Sequence, residues 1–484
     1  MAGWKKGRWE HESSFSSFNQ KLGILRAAHI GNLTDLQLAI QSDVPLNNED
    51  VFSYDIERPC QQIRHLTARH KALFKINDTW RLSGQYVFQF NHRQEYDVVR
   101  SSGSAAQKPQ LSFRLWSNSL DVALEHLPIR HWQGGLGVQL IQQTNFVGKG
   151  GLIPDYDAWG GSIWFMERRR RYPKPWELEF GVRYDYRQTS AVTTGTLNNL
   201  DTLVHFGSLS GTAGVIYHFN QALSATFNTG LAWRPPHVNE LFARGVHQGA
   251  GTFEQGNPKL LSEKAWNSNL TLQWRKGRSE AMLSAFRNRM NDFIYLDPQN
   301  TLVLTVRGAY PAYFYAQADA VLKGMEGSCS LPVSKKLSIE TRFSLLRAQR
   351  LLPDSSVVES GATRDWLPLM PADRLQYGMK WTIREKSGKV GKEQHESFVR
   401  LLANSTLRQS RIPAAGLLKV APDGFTALTF DAAHTLLIHG KVPLEIGLTV
   451  QNLLNTRYRE YLNFFRFYTD EPGLNAGIRA KITF

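Results

Sequence analysis

The stretch WELEFGVRYDYR, residues 176–187, has a strict two-residue period. One face of it carries apolar and aromatic side chains: Trp176, Leu178, Phe180, Val182, Tyr184 and Tyr186. The opposite face carries charged side chains: Glu177, Glu179, Arg183, Asp185 and Arg187. Because successive side chains of a β-strand point to opposite faces, the stretch predicts a long amphipathic strand.

The same alternation recurs along the chain. In GLNAGIRAKITF, residues 473–484, one face carries Leu474, Ala476, Ile478, Ala480, Ile482 and Phe484. Segments that begin at Trp80, Leu223 and Val442 alternate in the same way. Such runs exceed the usual globular strand of about 5–6 residues and match tilted membrane strands of about 9–11. Their recurrence favours a transmembrane barrel over a soluble sheet.

The connections alternate between short turns and long polar loops. The predicted short turns lie near Asn77, Pro128, Pro173, Asn220, Lys276, Lys335 and Gly440. The predicted long loops are residues 30–60, 101–110, 189–202, 235–262, 352–369 and 457–473. Outer-membrane barrels have this asymmetry. We therefore predict an all-β, antiparallel transmembrane barrel that forms one domain over residues 1–484, with about 18 strands from residues 13–29 to residues 474–484.

The composition agrees with this class and excludes others. Mean hydropathy is −0.35, as expected where lipid-facing apolar residues alternate with polar lumen residues. No run approaches the roughly 18 apolar residues of a membrane-spanning helix. The net charge of +15 is spread over clusters between strands, which indicates solvated turns and no nucleic-acid partner. Two cysteines form neither a disulfide framework nor a metal motif.

Residues 233–263, WRPPHVNELFARGVHQGAGTFEQGNPKLLSE, resemble a segment of TonB-dependent receptors that lies between an FRAP-like and an NPxL-like tetrapeptide. Further fragments that resemble the family are AAHIGNLTDL, FRNRMNDFIYLDP, LMPADRLQYG, VQNLLNTRYREYL and the terminal Phe484. The residues that match the segment's motif are Trp233, Arg234, Pro235, Pro236, Asn257, Pro258 and Leu260, with Glu263 after them.

The resemblance implies a receptor in the outer membrane of a Gram-negative bacterium. Its expected partners are outer-membrane lipid and lipopolysaccharide, the TonB complex for a full-length form, and a transported metal complex: an iron–siderophore complex first, then haem, then zinc. The family has 22 strands, a signal peptide, a TonB box and a plug domain. The N-terminus, MAGWKKGRWEHESS, shows none of these segments. We therefore expect an N-terminally truncated, plugless barrel, inactive in energised uptake.

Histidines in the loop between the two tetrapeptides are the candidate ligand-binding residues. In relatives that bind haem or zinc a histidine lies in this interval, and here it holds His247, with His237 nearer its start. Imidazole is a good ligand for haem iron and for zinc. Glu240 and Glu254 could complete a zinc site with His247, although their spacing is no metal motif. Alternatively, both histidines are solvated loop residues.

Other features carry open alternatives. The lumen residues Arg183, Arg187, Arg479 and Lys481 either pair with carboxylates or steer an anionic chelate, and pairing is the preferred interpretation. The aromatic residues of 457–473 form either an interface girdle or a haem-stacking face. The rival functions are a passive porin-like channel and a barrel-embedded outer-membrane hydrolase. No catalytic motif is present, so the sequence predicts neither an enzyme nor a resident cofactor.

Overall fold

The structure is a computed structural model. It describes residues 1–28, 30–42, 44–45, 53–98, 108–149, 151–170, 174–194, 199–352, 364–387, 394–413, 421–438 and 442–482. Phe484, one of the predicted motif residues, lies outside the described residues.

A single sheet contains 22 strands. The first ten are β1 (Ala2–Lys6), β2 (Trp9–Gly23), β3 (Cys60–Lys75), β4 (Trp80–Tyr96), β5 (Leu111–Ile129), β6 (Trp132–Lys149), β7 (Asp155–Arg170), β8 (Trp176–Thr194), β9 (Asn199–His218) and β10 (Leu223–Arg234). The others are β11 (Arg244–His247), β12 (Thr252–Gln255), β13 (Glu263–Lys276), β14 (Ser279–Thr305), β15 (Gly308–Pro332), β16 (Leu337–Leu351), β17 (Arg364–Trp366), β18 (Arg374–Ser387), β19 (Gln394–Thr406), β20 (Phe425–Ile438), β21 (Val442–Gln451) and β22 (Asn475–Ile482).

The long strands form an antiparallel meander in which each pairs with the next long strand along the chain. Four of the 22 described strands, β1, β11, β12 and β17, have five residues or fewer, and the other 18 have eight or more. The predicted all-β antiparallel barrel is therefore confirmed. The predicted count of about 18 strands corresponds to the long strands alone, and the four short strands were not predicted. The short strand β12 departs from the meander because it pairs in parallel with β15.

Contacts between distant strands show that the sheet curls around an interior. At the long-loop end, the Gln248 side chain donates to Asp97 at the end of β4 over 3.0 Å. The backbone N–H of Ala309 on β15 donates to the carbonyl of Ile30 over 2.8 Å. Three buried clusters at this end lie around Tyr313, Leu241 and Leu367. The core of the molecule therefore caps the long-loop end of the curled sheet.

Helices lie only in the long loops of the described chain. They are α1 (Leu33–Gln41), α2 (Val238–Phe242) and two 3-10 turns, Arg26–Ala28 and Phe464–Phe467. The Asn32 side chain caps α1 by accepting from the backbone N–H of Asp35 over 2.8 Å. None of these helices is both long and apolar enough to cross a membrane.

The two faces of the sheet separate as the alternation predicts. Leu474, Ile478 and Ile482 are exposed, and Ile478 and Ile482 lie opposite Leu448 and Leu444 of β21, on the outward apolar face. The opposite face is joined by polar contacts such as Arg479–Glu445 at 3.3 Å.

One predicted loop, residues 189–202, is largely strand. β8 continues to Thr194 and β9 begins at Asn199, with a continuous ladder between them. Above the apolar band both faces of a strand meet water, so the two-residue apolar period disappears although the ladder of hydrogen bonds continues. The prediction of a loop there was wrong because it relied on that period.

Adjacent residues on β9 allow a direct test of which face meets lipid. Leu209 lies on the outward face and is 62% exposed, whereas Ser208 lies on the inner face opposite Asp185. We expect Leu209→Arg to destabilise the folded barrel in lipid by about 2 kcal/mol, because a guanidinium in hydrocarbon is costly. The matched control, Ser208→Arg, should have little effect. Equal urea midpoints for the two variants would show that these faces are assigned wrongly.

Candidate functional site

The loop between β10 and β13 is anchored by one arginine. Arg234, the last residue of β10, donates to Glu240 over 2.8 Å, and its second nitrogen lies 3.2 Å from Glu263 at the start of β13. Both carboxylates are buried. Since Arg234 and Glu263 are also direct partners in the ladder, this charge network fixes both ends of the loop to neighbouring strands.

Glu240 also shapes the start of helix α2. Its carboxylate accepts from the backbone N–H of His237 over 2.7 Å, the contact by which a carboxylate in the first turn satisfies a free donor before a helix. The sequence offered Glu240 as a ligand beside His247. The structure instead uses Glu240 as a partner of Arg234 and His237, and no contact joins it to His247 among the described residues.

The second tetrapeptide closes the loop against α2. The backbone N–H of Asn257 donates to the carbonyl of Glu240 over 2.8 Å, and Leu260 packs with Leu241 and Ile294 in a buried cluster. A Cβ at Gly256 would lie 2.6 Å from the backbone of Leu241, so only glycine fits at this approach. Arg234 of the first tetrapeptide, with Asn257 and Leu260 of the second, therefore holds the loop in shape.

His247 and Glu254 meet across the small hairpin of β11 and β12. The Nδ1 atom of His247 lies 2.7 Å from Oε1 of Glu254. The hairpin register, with His247 opposite Thr252, brings these side chains together despite the Gly-rich turn between them. The sequence proposed both residues as ligands without predicting this contact.

The Glu254 carboxylate is buried and fixed by further donors. The hydroxyl of Thr252 donates to its Oε1 over 3.3 Å, and that of Tyr315 to its Oε2 over 3.4 Å. Asn239 of α2 in turn donates to the Tyr315 hydroxyl over 3.0 Å. When Nδ1–H donates to Glu254, Nε2 of His247 is the free, basic nitrogen. A carboxylate that orients a histidine in this way is a common arrangement behind metal-binding imidazoles.

The Nε2 atom of His247 lies near polar side chains of β4, beside Gly249. The position that a Cβ would occupy at Gly249 lies 3.7 Å from this Nε2, 3.6 Å from Nη2 of Arg93 and 3.8 Å from Oε1 of Glu95. Glu95 is buried, pairs with Arg93 and accepts from Gln61 over 3.0 Å. Arg93 and Glu95 could not be predicted as neighbours of His247, because they come from β4 and only the curling of the sheet brings them to the loop.

No cluster of three or more His, Cys, Asp or Glu side chains could hold a metal ion in the described chain. His237 is exposed; its backbone N–H donates to Glu240, and its carbonyl accepts from the backbone N–H of Leu241. The assignment of His247 as a metal ligand stays a prediction. His247 offers one free imidazole nitrogen, which suits a metal ion that is already coordinated by other ligands.

Charges on the inner face are largely paired. Arg183 donates to Asp185 over 2.8 Å, Arg187 donates to Gln143 over 2.8 Å, and Arg479 pairs with Glu445. A cavity of about 700 Å³ lies where β9 and β10 diverge, and Arg183, Asp185, Trp233 and Arg234 are among its lining residues. Arg183 and Arg479 therefore pair with carboxylates, as the preferred interpretation expected, whereas Arg187 donates to the neutral amide of Gln143.

The aromatic loop after β21 is neither a girdle nor an open stacking face. Tyr461, Phe467 and Tyr468 are buried, and Phe467 and Tyr468 pack with Leu36 of α1 and Tyr313 of β15. The rings are buried because apolar side chains of the described residues between β2 and β3, among them Ala28, Leu36 and Ala39, cover them. Arg466 lies buried among them, 4.6 Å from the ring centroids of Tyr461 and Phe467, and this burial lowers the pKa of its guanidinium.

A family model described as the TonB-dependent receptor-like β-barrel matches residues 8–469. The chain belongs to this family. The match covers every long strand except the last, and it includes the loop with His247 and Glu254.

Solved structures of TonB-dependent receptors share the fold of this receptor barrel. The FrpB iron transporter from Neisseria meningitidis aligns at a TM-score of 0.67 and 12% identity over 99% of this chain and 70% of its own. The ferric citrate transporter FecA aligns at 0.62 and 13% identity over 98% and 67%. The copper transporter OprC aligns at 0.65 and 15% identity over 87% and 65%.

A curated relative of the receptor barrel is lactoferrin-binding protein A of Neisseria meningitidis serogroup B. It is 27% identical over 130 residues, which are 26% of this chain and 13% of that protein. The aligned segment therefore spans about an eighth of the relative's length.

Proposed function

We propose that this chain forms the barrel of an outer-membrane receptor for TonB-dependent uptake of a metal complex. An iron–siderophore complex is the first candidate ligand, haem the second and zinc the third. Family membership supports this class of function, and the names of structural neighbours include iron and copper transporters. The partners proposed with it are the TonB complex and the lipid and lipopolysaccharide of a Gram-negative outer membrane.

The observation that carries the ligand proposal is the His247–Glu254 pair at the long-loop end. One oriented imidazole with a free Nε2 can complete the coordination of iron that is already held by a chelator or a porphyrin. Free zinc normally needs three or four protein ligands, and the described residues around His247 do not provide them. This difference favours a preformed iron complex over zinc.

We expect His247→Ala to weaken haemin binding by the refolded chain at least several-fold, because the direct ligand to iron is lost. Glu254→Gln should weaken it by a smaller factor, since the imidazole stays but loses its orienting carboxylate. The measurement is a haemin titration followed by the Soret absorbance in detergent micelles.

His205→Ala is the matched control, because His205 is an exposed strand histidine outside this loop. Parallel titrations with ferric citrate and with Zn²⁺ rank the three ligand classes. If His247→Ala binds haemin, ferric citrate and Zn²⁺ as the unmodified chain does, His247 is a solvated loop residue and the ligand proposal fails.

A further inference from the structure

A group of unpaired cations lies on the outward face of β13, β14 and β15. Its members are Lys264, Arg287, Arg289 and Lys323, and we refer to them as the basic patch. All four side chains are exposed. None of them has a hydrogen bond or ion pair with another described residue. This arrangement is unusual for a lipid-facing surface, because a charge there is costly unless it reaches a polar region.

The register of the strands establishes that the patch faces outward. Arg287 continues the face of Leu283 on β14, and Leu283 lies opposite Leu272 of β13. Lys323 is the direct cross-strand partner of Arg287, and Arg289 is the direct partner of Trp266. The inner face of the same strands carries a different set of contacts, such as Ser284 with Asn269 at 2.8 Å.

The depth of the patch follows from the tryptophans of β13. Trp266 and Trp274 lie on the same outward face and flank Leu270 and Leu272. Eight residues of tilted strand separate them by about 20 Å along the barrel axis, close to the height of an apolar band with its aromatic girdles. Trp266 therefore marks the long-loop boundary of the band. The basic patch lies at that boundary, at the depth of lipid headgroups.

Neighbouring charges do not neutralise the patch. On β16, Arg347 continues the row of Arg287 and Lys323, but Arg347 pairs with Asp373 at 2.7 Å and is not part of the patch. On β15 the nearby carboxylate is Asp319, which accepts from the side chain of Asn291 and the backbone N–H of Asp292. Direct opposition of Arg287 and Lys323 is destabilising by itself, so an external anion between them would relieve it.

We propose that the basic patch binds the phosphate groups of an anionic lipid in the leaflet at the long-loop end. Exposed guanidinium and ammonium groups at headgroup depth donate to phosphate oxygens, and the lipid chains lie along the apolar face below. This inference rests on the membrane location in the proposed function but is independent of the transported ligand. Failure of the haemin experiment would leave it intact.

The test compares two double variants of the full chain refolded in detergent micelles. Arg287→Gln with Lys323→Gln removes two patch cations, and Arg342→Gln with Lys481→Gln removes two charges from the inner face. Binding of diphosphoryl lipid A is measured by native mass spectrometry, with phosphatidylcholine as the neutral lipid. We expect the patch variant to bind lipid A about 10- to 30-fold more weakly and the inner-face variant to bind it normally.

A charge-conserving variant, Arg287→Lys with Arg289→Lys, should retain most of the binding and so separates loss of charge from loss of fold. Three results would each overturn the proposal: undiminished lipid A binding by the patch variant, an equal loss in the inner-face variant, or displacement of lipid A by millimolar inorganic phosphate. The last result would assign the patch to free anions instead of lipid.

Discussion

Replacement of Arg234 by methionine is expected to destabilise the loop of residues 235–262 by about 3 kcal/mol, because it leaves two buried carboxylates without their cation. Glu240 and Glu263 are 8% and 7% exposed, so water cannot replace the guanidinium well. Glu240 would also lose the positive charge of Arg234, which holds its carboxylate beside the start of α2. The expected result is a loop that opens while the barrel strands remain folded.

Limited proteolysis measures this effect, since trypsin should cut at Arg244 or Lys259 in the variant and not in the unmodified chain. Arg244→Lys is the matched control, because it changes an exposed arginine of the same loop and keeps the trypsin site. Haemin binding should fall together with loop order, because the hairpin that carries His247 depends on the same anchor.

A triple variant separates charge from packing. Arg234→Met with Glu240→Gln and Glu263→Gln removes the carboxylates together with the cation, so no buried charge remains unpaired, and the loop should recover part of its protection. A triple variant that is cut as fast as Arg234→Met would contradict the role assigned to the charge network.

The barrel class could be predicted from the sequence because its cause is local. In residues 176–187 the alternation follows directly from one face in lipid and one in water, and no distant contact is needed to detect it. The same reasoning failed at residues 189–202, where the strands leave the apolar band. Strand pairing there depends on the continuing ladder of β8 and β9, which leaves no periodic signal in the residues.

The sequence indicated which loop carries the site but not which side chains are in contact there. The two tetrapeptides indicated the loop and therefore His247, but the His247–Glu254 contact depends on the register of β11 and β12. The parallel pairing of β12 with β15 then brings Tyr315 to Glu254, across about 60 residues of sequence. Arg93 and Glu95 reach the site only through the curvature of the whole sheet. Sequence spacing carries no information on any of these three steps.

Residues 1–484 on their own are expected to insert into lipid vesicles in low yield, and deletion of residues 1–6 is expected to raise that yield several-fold. Among the described residues no ladder joins β22 to β1 or β2, so the sheet has two free edges. In lipid each unpaired backbone group costs several kcal/mol, which makes such edges strongly unfavourable for insertion.

Strand direction explains why β1 matters. The 18 long strands alternate in direction, so β2 and β22 run antiparallel and can pair with each other directly. β1 pairs antiparallel with β2, with Lys6 opposite Trp9 and Ala2 opposite Ser13. It therefore runs parallel to β22 and occupies the edge of β2 with which β22 would otherwise pair. Without β1 the sheet has an even number of long strands, so its two edge strands run antiparallel. Without both β1 and β22 the number is odd, so the two edge strands run parallel.

Urea-resistant, heat-modifiable migration on gels measures the inserted fraction of each form. The yield should rise when residues 1–6 are deleted and fall to background when β22 is deleted as well. Replacing residues 2–6 by a Gly-Ser segment of equal length should act like the first deletion, because it abolishes the strand without shortening the chain. Equal yields from all four forms would mean that the free edges do not limit insertion, and that the barrel closes in lipid by a route other than direct pairing of β2 with β22.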